Sequence, residues 1–460
     1  MYKIDFEHPC RIHFIGIGGI SMSGFAELLH SMGFTITGSD RSESKITRHL
    51  ESLGIQIVYG QDEKNITDAM DLVVYTAAIH PSNPEYKRAS EMGIPMMERA
   101  CMVGQVMKNY SSAIAISGTH GKTTTTSIAS QIFLQADLDP TISVGGILDA
   151  IGGNIRIGHS RHFITEACEY TNSFLQFFPT VGVILNIEED HMDFFKDIDD
   201  IRHSFQEFAR KIPAHGTLII NADIDDYEEI VQDASCRVIT YGLDHASADF
   251  TAQNITYDEK GHGSFDVIRN GKKGPRFHLN VVGRHNVSNT LSCLALAALY
   301  EIDDDTVQQA LTAFHGTERR FEYKGEKNGI TIIDDYAHHP TEISATLDAA
   351  VKYPHKDLWV IFQPHTYTRT KAFLKDFAAS LSVADEIILT DIYAAREKDP
   401  GDISSAMLAE ELKKLGKEVY YFSDFKEIEK FILKNLVNGD LLITMGAGNV
   451  VDIGEALLET

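Results

Sequence analysis

Residues 113–126, with the sequence AIAISGTHGKTTTT, combine residue types that bind nucleotide phosphates. The apolar run predicts a strand, the glycines predict a tight turn, and the threonine-rich stretch predicts a helix start. A glycine turn lets backbone N–H groups face an anion, and a helix N-terminus attracts negative charge. Lys122 adds a mobile positive charge, and Thr123 has the position at which a P-loop hydroxyl binds Mg²⁺.

This pattern differs from the standard P-loop because Ile116 stands where that pattern has a glycine. The alternative to a phosphate site is a glycine-rich turn with a surface lysine. The strand before the turn and the helix after it favour an ATP site. The residues predicted to bind ATP here are Gly118, Thr119, His120, Gly121, Lys122, Thr123 and Thr124.

Two further polar residues follow apolar, strand-like runs in the same region. Glu166 ends the first run, in EACEY, and His191 follows the run at 181–186, in NIEEDHMD. A carboxylate, an imidazole and the Thr123 hydroxyl are a plausible set for holding Mg²⁺ against phosphates. The alternative is that Glu166 and His191 are ordinary loop residues. Three such groups together favour a metal site with the ligands Thr123, Glu166 and His191.

The N-terminal region predicts a second nucleotide site. The sequence RIHFIGIGG at 11–19 predicts a strand and a glycine turn, a helix follows, and TITGSD predicts a second strand ending at Asp40. This is a βαβ unit of Rossmann type, in which a Gly-x-Gly turn and a later acid often bind a dinucleotide. Ser21 stands at the third glycine position, so NAD, another nucleotide and a purely structural turn all remain open.

Composition narrows the class of protein. The chain has 460 residues, of which 43% are hydrophobic and 23% charged, as in globular proteins of two to four domains. The net charge of −25 argues against nucleic acid or an anionic membrane as a partner. We find no run of 18 apolar residues and no apolar signal core. The five scattered cysteines predict reduced thiols and a cytoplasmic location.

We predict three α/β domains, with boundaries at 1–108, 109–318 and 319–460. The second contains strand-like runs and a hairpin-rich patch at 250–282. In the third, strands alternate regularly with helices, which predicts a parallel sheet covered on both faces. The ligand site of such a sheet lies at the carboxyl ends of its strands.

Several candidates lie near these strand ends and at the second domain boundary. His285 and Asn286 open a helix, so they either cap it or bind an adenine edge. Arg319 and Arg320 are either a solvated hinge or contacts for phosphate charge. His338 and His365, with Arg369 and Arg396 nearby, are either core histidines or part of a site for a carboxylate or an amine.

Taken together, these motifs make the sequence resemble the ATP-dependent Mur ligases of peptidoglycan assembly. The matching segments span nearly the whole chain in order: GIGGISMSGFAELL, GSD, YTAAIHPSNPE, GTHGKTTTT, EACEY, NIEEDHMD, GRHNVSN, GTERRFEY, DDYAHHPTE, FQPHTYTRT and DIYAARE. No single string is decisive, but eleven in register are highly specific.

The resemblance implies a Rossmann-like N-terminal domain that binds UDP, a central ATPase domain with a mixed sheet, and a Rossmann-like C-terminal domain that binds an amino acid. It implies ATP and Mg²⁺ as cofactors and UDP-N-acetylmuramate and L-alanine as substrates, with an acyl phosphate intermediate. A monomer or a homodimer is expected. The residues implied for UDP are Gly18, Gly19, Asp40 and Asn83.

The resemblance also sorts the remaining candidates. It implies Lys122 on the phosphates, Thr123, Glu166 and His191 on the metal ion, His285 and Asn286 on adenine or ribose, and Arg319 or Arg320 on phosphate. It implies His338, Arg369 and Arg396 at the amino acid and the closed active site, His338 being our candidate base.

Two positions depart from the family pattern. Gln206 stands where ligases of later steps often have a carbamylated lysine, and Thr366 stands where many relatives have arginine.

Three alternative functions remain open: a recycling ligase that adds a preformed tripeptide, an NAD-dependent dehydrogenase, and a non-catalytic nucleotide-binding regulator.

Overall fold

The computed structural model describes residues 2–76, 78–395 and 397–459. These residues form two compact units. Unit 1 consists of residues 2–188, 198–241 and 295–302, and unit 2 of residues 189–197, 242–294 and 303–459. The predicted boundaries at 108/109 and 318/319 remain predictions.

The N-terminal part of unit 1 is a five-stranded parallel sheet in the order β3-β2-β1-β4-β5. Its strands are β1 (Arg11–Ile15), β2 (Thr35–Asp40), β3 (Gln56–Tyr59), β4 (Leu72–Tyr75) and β5 (Met96–Glu98). Its helices are α1 (Ile20–Ser31), α2 (Lys45–Ser52), α3 (Pro84–Glu91) and α4 (Arg99–Met107). This order confirms the Rossmann-like prediction, because β1 lies between β2 and β4 at a topological switch point.

The rest of unit 1 contains seven strands in the order β12-β11-β10-β6-β9-β7-β8. They are β6 (Ser112–Ser117), β7 (Thr141–Leu148), β8 (Gly153–Arg156), β9 (His162–Ala167), β10 (Val181–Ile184), β11 (Thr217–Asn221) and β12 (Arg237–Tyr241). The helices are α5 (Lys122–Gln135), α6 (Ile198–Arg210) and α7 (Tyr227–Val231). β8 runs antiparallel to β7 and the other pairs are parallel, so the sheet is mixed as predicted.

Unit 2 contains an antiparallel meander of β13 (Phe250–Tyr257), β14 (His262–Arg269) and β15 (Lys272–Val282). This confirms the hairpins predicted at 250–282. The helix α8 (Arg284–Leu299) begins in unit 2 and ends in unit 1, and α9 (Asp304–Ala313) belongs to unit 2.

The C-terminal sheet of unit 2 has six strands in the order β16-β17-β21-β18-β19-β20. They are β16 (Glu322–Lys327), β17 (Ile330–Asp335), β18 (Leu358–Phe362), β19 (Glu386–Leu389), β20 (Val419–Tyr421) and β21 (Leu441–Met445). The helices are α10 (Pro340–Ala350), α11 (Tyr367–Ala372), α12 (Leu374–Leu381), α13 (Ser405–Lys414), α14 (Phe425–Asn435) and α15 (Val451–Glu459).

Alternating residues of β17, β18 and β21 belong to two different apolar clusters. Ile333 and Val360 face one cluster, whereas Ile332 and Ile361 face the other, since successive side chains of a strand point to opposite faces. The prediction of helices on both faces is therefore confirmed. The five predicted strands, β17 to β21, are parallel, as predicted. The sheet has one further strand that the sequence did not predict, β16, which runs antiparallel to β17 at the edge. The polar sequence EYKGEK gave no strand signal there.

Two further observations concern the class of protein. No disulfide links any two of the five cysteines within the described part of the chain. Among the described residues, every helix is too short or too polar to cross a lipid bilayer.

Candidate functional site

The glycine turn after β6 forms the predicted strand–loop–helix arrangement. Gly118 has a φ of +145° and Gly121 a φ of +81°, and α5 begins at Lys122. A Cβ atom at Gly118 would lie 2.9 Å from the Cβ of Leu185, so only glycine fits there. The Asn186 side chain accepts a hydrogen bond from the His120 N–H (2.7 Å) and donates one to the His120 carbonyl (3.0 Å). The loop is therefore held in a fixed shape.

The Lys122 ammonium lies against this loop. It donates to the carbonyl oxygens of Gly118 (2.5 Å) and Thr119 (2.9 Å) and forms an ion pair with Glu169 (2.9 Å). Burial is the largest single effect and acts to lower the pKa of Lys122, but the neighbouring acidic groups, with Glu169 first among them, together raise the pKa above its usual value. Lys122 is therefore positively charged at the phosphate loop. Sequence reasoning missed Glu169, although EACEY contains it.

Glu166 lies on β9, paired in register with Ile116 of β6. Its carboxylate accepts a hydrogen bond from the Gly145 N–H (2.5 Å). A Cβ atom at Gly145 would lie 2.8 Å from a carboxylate oxygen of Glu166, so glycine permits this close approach. Thr123 and Glu166 both belong to unit 1, near the carboxyl ends of β6 and β9. His191 belongs to unit 2, and its backbone N–H bonds the Asp190 carboxylate.

Three of the candidate UDP residues, Gly18, Gly19 and Asp40, lie at the carboxyl ends of β1 and β2, and the fourth, Asn83, follows β4. The Gly18 N–H donates to the Asp40 carboxylate (2.8 Å), and a Cβ atom at Gly18 would lie 2.8 Å from that carboxylate. Gly19 is the N-cap of α1. Asn83 is the N-cap of α3 and accepts from the backbone N–H groups of its first turn. The side chain of Asn83 donates to Gln61 (2.7 Å).

In unit 2, a cavity of about 440 Å³ contains several of the C-terminal candidates. Its lining includes His191, Tyr336, His338, His365 and Arg369. The structure therefore brings His338 and Arg369 together as predicted from the strand ends. Arg396 lies outside the described residues.

Arg369 is held by an acid that sequence reasoning missed. Its guanidinium donates to the Asp190 carboxylate (3.0 and 3.3 Å) and contacts His365 (3.2 Å). Burial is the largest single effect and acts to raise the pKa of Asp190, but the charge of Arg369, together with the neighbouring histidines, holds that pKa well below its usual range. Asp190 lies within the motif NIEEDHMD, so adjacency to His191 was the available signal.

His338 is a neutral imidazole in this cavity. Burial lowers its pKa to about 4, against the opposing charge of Glu342. Its Nδ1 faces the Tyr336 carbonyl (3.0 Å) and Glu342 (3.2 Å). Two acceptors at Nδ1 favour the tautomer protonated there, which leaves Nε2 with a basic lone pair.

The two neighbouring arginines have different environments. The Arg319 guanidinium donates hydrogen bonds to the Asp334 carboxylate (2.9 Å) and to the carbonyls of Gly448 (3.0 Å) and Gly446 (2.7 Å). Both guanidinium groups lie over the Tyr336 ring, that of Arg319 at 4.9 Å and that of Arg320 at 5.1 Å from its centroid. Of the two, Arg320 lines a second cavity of about 660 Å³ among the described residues. Arg320 is therefore better placed than Arg319 to contact a ligand.

Asn286 also lines this second cavity. Its side chain donates to the Val282 carbonyl (2.8 Å) and accepts from Asn289 (3.0 Å), so it stabilises the start of α8. His285 is exposed, and its ring lies against Gly283, where a Cβ atom would come within 2.6 Å of it. Within the described residues, the lining includes Asn286 and Arg320 but not His285.

Comparison with known proteins places this arrangement in a family. Three family models match the chain in order: "Mur ligase family, catalytic domain" at 11–111, "Mur ligase middle domain" at 116–297 and "Mur ligase, glutamate ligase domain" at 319–448.

Relatives also match over the full length. The UDP-N-acetylmuramate–L-alanine ligases of Lachnoclostridium phytofermentans and Agathobacter rectalis are 58% and 59% identical to the chain, over 100% of each protein. The crystal structure of UDP-N-acetylmuramate–alanine ligase from Thermotoga maritima superposes with a TM-score of 0.83 at 30% identity, covering 98% of both chains. A murein peptide ligase from Psychrobacter arcticus superposes with a TM-score of 0.74 at 27% identity, covering 98% of both chains.

These matches confirm the prediction of three α/β domains. They also explain why eleven short strings occur in register along one sequence. The chain belongs to the Mur ligase family.

Proposed function

We propose that the chain is an ATP-dependent ligase that joins L-alanine to the lactyl carboxylate of UDP-N-acetylmuramate. The observation that carries this proposal is the full-length similarity, at 58–59% identity, to relatives named for that reaction. The charged Lys122 in a fixed glycine loop supports the ATP-dependent part, because phosphoryl transfer needs a backbone cradle and a cation.

The reaction begins with attack of the lactyl carboxylate on the γ-phosphate of ATP, which gives an acyl phosphate and ADP. The α-amine of L-alanine then attacks the acyl carbon, and phosphate leaves from a tetrahedral intermediate. Lys122 neutralises charge that develops on the γ-phosphate. Thr123, Glu166 and His191 are the proposed ligands of Mg²⁺, and the oxygen atoms of Thr123 and Glu166 are the donors that this ion prefers. Bound Mg²⁺ would neutralise phosphate charge.

The substrate amine must lose a proton before it attacks. His338 is our candidate base because its neutral imidazole presents Nε2 for that proton. Arg369 carries the positive charge that a substrate carboxylate needs, and we propose that it shares that role with Arg396. Arg320 and Asn286 are proposed to bind ATP, with Arg319, His285 and the phosphate loop as further family-implied contacts.

The second candidate is a recycling ligase that adds a preformed tripeptide to the same sugar nucleotide. The likeness to the murein peptide ligase of Psychrobacter arcticus supports it, although at lower identity than the alanine ligases. An NAD-dependent dehydrogenase would leave the phosphate loop without a purpose. We further propose a cytoplasmic enzyme that is a monomer or a homodimer.

Phosphate release from ATP and Mg²⁺ tests the proposal. UDP-N-acetylmuramate is added with L-alanine, glycine, L-serine or the muramyl tripeptide in turn. Release that requires both the sugar nucleotide and L-alanine supports the proposal. Release with the tripeptide alone supports the recycling reaction, and no release with any acceptor would contradict both.

A further inference from the structure

A buried carboxylate connects the elements that carry the candidate UDP residues. Glu85 is the second residue of α3, and its side chain is fully buried, with 0% exposed. Its Oε2 accepts a hydrogen bond from the Ser39 hydroxyl (2.6 Å), and its Oε1 accepts one from the Asn65 amide (2.6 Å). Burial raises the pKa of Glu85, and the bonds from Ser39 and Asn65 act in the opposite direction.

Both donors to Glu85 are connected to Asp40, one through the chain and one through hydrogen bonds of the Gly60 backbone. Ser39 directly precedes Asp40 on β2. Asn65 donates also to the Gly60 carbonyl (2.9 Å), and the Gly60 N–H donates to the Asp40 carbonyl (2.7 Å). Glu85 therefore fixes the backbone on both sides of the strand end that presents Asp40.

Glu85 also adjoins Asn83. The Asn83 side chain accepts from the Glu85 N–H (2.9 Å) and donates to Gln61, the residue after Gly60. A displaced Glu85 would therefore move the cap of α3 together with the loop at 60–65. The two candidate UDP residues, Asp40 and Asn83, share one hydrogen-bonded support.

Within the described part of the chain, the basic side chain that contacts Glu85 is His13, and it does not neutralise the carboxylate. His13 Nε2 lies 4.0 Å from Glu85 Oε1, and burial lowers the pKa of His13 to about 4, so the imidazole is neutral. His13 Nδ1 contacts the Thr37 hydroxyl instead (2.9 Å). Burying a carboxylate without a cation is less favourable than burying an apolar side chain, even with two hydrogen bonds, so stability alone does not account for Glu85.

We propose that Glu85 is a positioning residue that holds Asp40 and Asn83 in the geometry that binds the UDP portion of the substrate. This inference rests on the proposed function. Glu85 itself is buried and acts through Ser39, Asn65 and the α3 cap.

Three variants test it: Ser39→Ala and Asn65→Ala each remove one donor, and Glu85→Gln removes the charge while keeping the volume. Ser405→Ala is the matched control, because Ser405 is 2% exposed and makes a 2.6 Å hydrogen bond to the Thr390 carbonyl of the C-terminal region. Calorimetry measures the Kd of UDP-N-acetylmuramate, and steady-state assays measure kcat and each KM.

We expect the Kd and KM for UDP-N-acetylmuramate to rise about tenfold in Ser39→Ala and Asn65→Ala, as loss of a charged hydrogen bond predicts. The KM values for ATP and L-alanine and the kcat should stay within about twofold. Unchanged Kd values in all three variants, or equal changes in every KM, would overturn the inference. A wild-type protein that does not bind UDP-N-acetylmuramate would overturn the proposed function and this inference with it.

Discussion

Arg319 and Arg320 are adjacent in sequence, but we expect the removal of Arg319 to lower stability and the removal of Arg320 to weaken ATP binding. Arg319→Ala leaves Asp334, which is fully buried, without its guanidinium partner. Breaking a buried ion pair from one side costs about 3–5 kcal/mol. The Thr444 hydroxyl still donates to Asp334 (2.6 Å), so we expect Arg319→Ala to lower the free energy of unfolding by about 3 kcal/mol, the smaller end of that range.

Trp359 provides the assay. It is the single tryptophan of the chain, it lies on β18 of the C-terminal sheet, and it is 7% exposed. Its fluorescence during urea unfolding therefore follows the sheet that contains Asp334. With an m-value of about 2 kcal/mol/M, a loss of about 3 kcal/mol lowers the urea midpoint by about 1.5 M.

Arg320→Ala should behave differently. Its guanidinium stacks on Tyr336, an interaction worth about 0.5–1 kcal/mol, so the urea midpoint should move by less than about 0.5 M. We expect the KM for ATP to rise at least about tenfold, as loss of a charged contact to phosphate predicts.

A double-mutant cycle isolates the pair. Arg319→Ala combined with Asp334→Asn should recover about 2 kcal/mol of the loss, since the uncompensated charge is gone. Equal destabilisation by Arg319→Ala and Arg320→Ala, or no recovery in the double variant, would refute the reasoning.

Three further predictions address the phosphate loop, the C-terminal strand ends and the packing of α4. Lys122→Ala should abolish ADP formation because it removes the cation at the phosphates; near-normal turnover in a phosphate-release assay would contradict the ATP site. Burial raises the pKa of Asp335 to about 6, so its protonated form favours the folded state. This stabilising contribution is fully present below the unfolded pKa near 4 and is lost as the pH rises through the folded pKa of about 6. The free energy of unfolding therefore falls by about 1 kcal/mol between pH 5 and pH 7. Asp335→Asn should remove this pH dependence of the unfolding free energy, measured by urea unfolding at pH 5 and pH 7. An unchanged pH dependence would contradict the assignment to Asp335. Gly104→Ala should destabilise the protein by about 3 kcal/mol, because a Cβ atom there would overlap the Gln176 carbonyl oxygen. Gly153→Ala is the control, since a Cβ atom there meets nothing within 4 Å, and equal melting temperatures would disprove the steric argument.

The sequence determined the features that depend on neighbouring residues. The phosphate loop could be predicted because a strand, two glycines with positive φ, a lysine and a helix follow one another within 14 residues. The Rossmann-like order of the first sheet followed in the same way from a βαβ pattern. Local hydrogen bonding and backbone conformation decide such elements, and both are encoded in short segments.

Only the tertiary structure decided which side chains pair. Asp190 and Arg369 are separated by 179 positions, and Ser39 and Glu85 by 46, so no local pattern joins them. The polar strand β16 and the different environments of Arg319 and Arg320 were likewise hidden, because an edge strand and a buried ion pair are defined by neighbours distant in sequence. The sequence thus determined which chemical groups the protein has, and long-range packing decided which of them are held in place and which remain available to substrates.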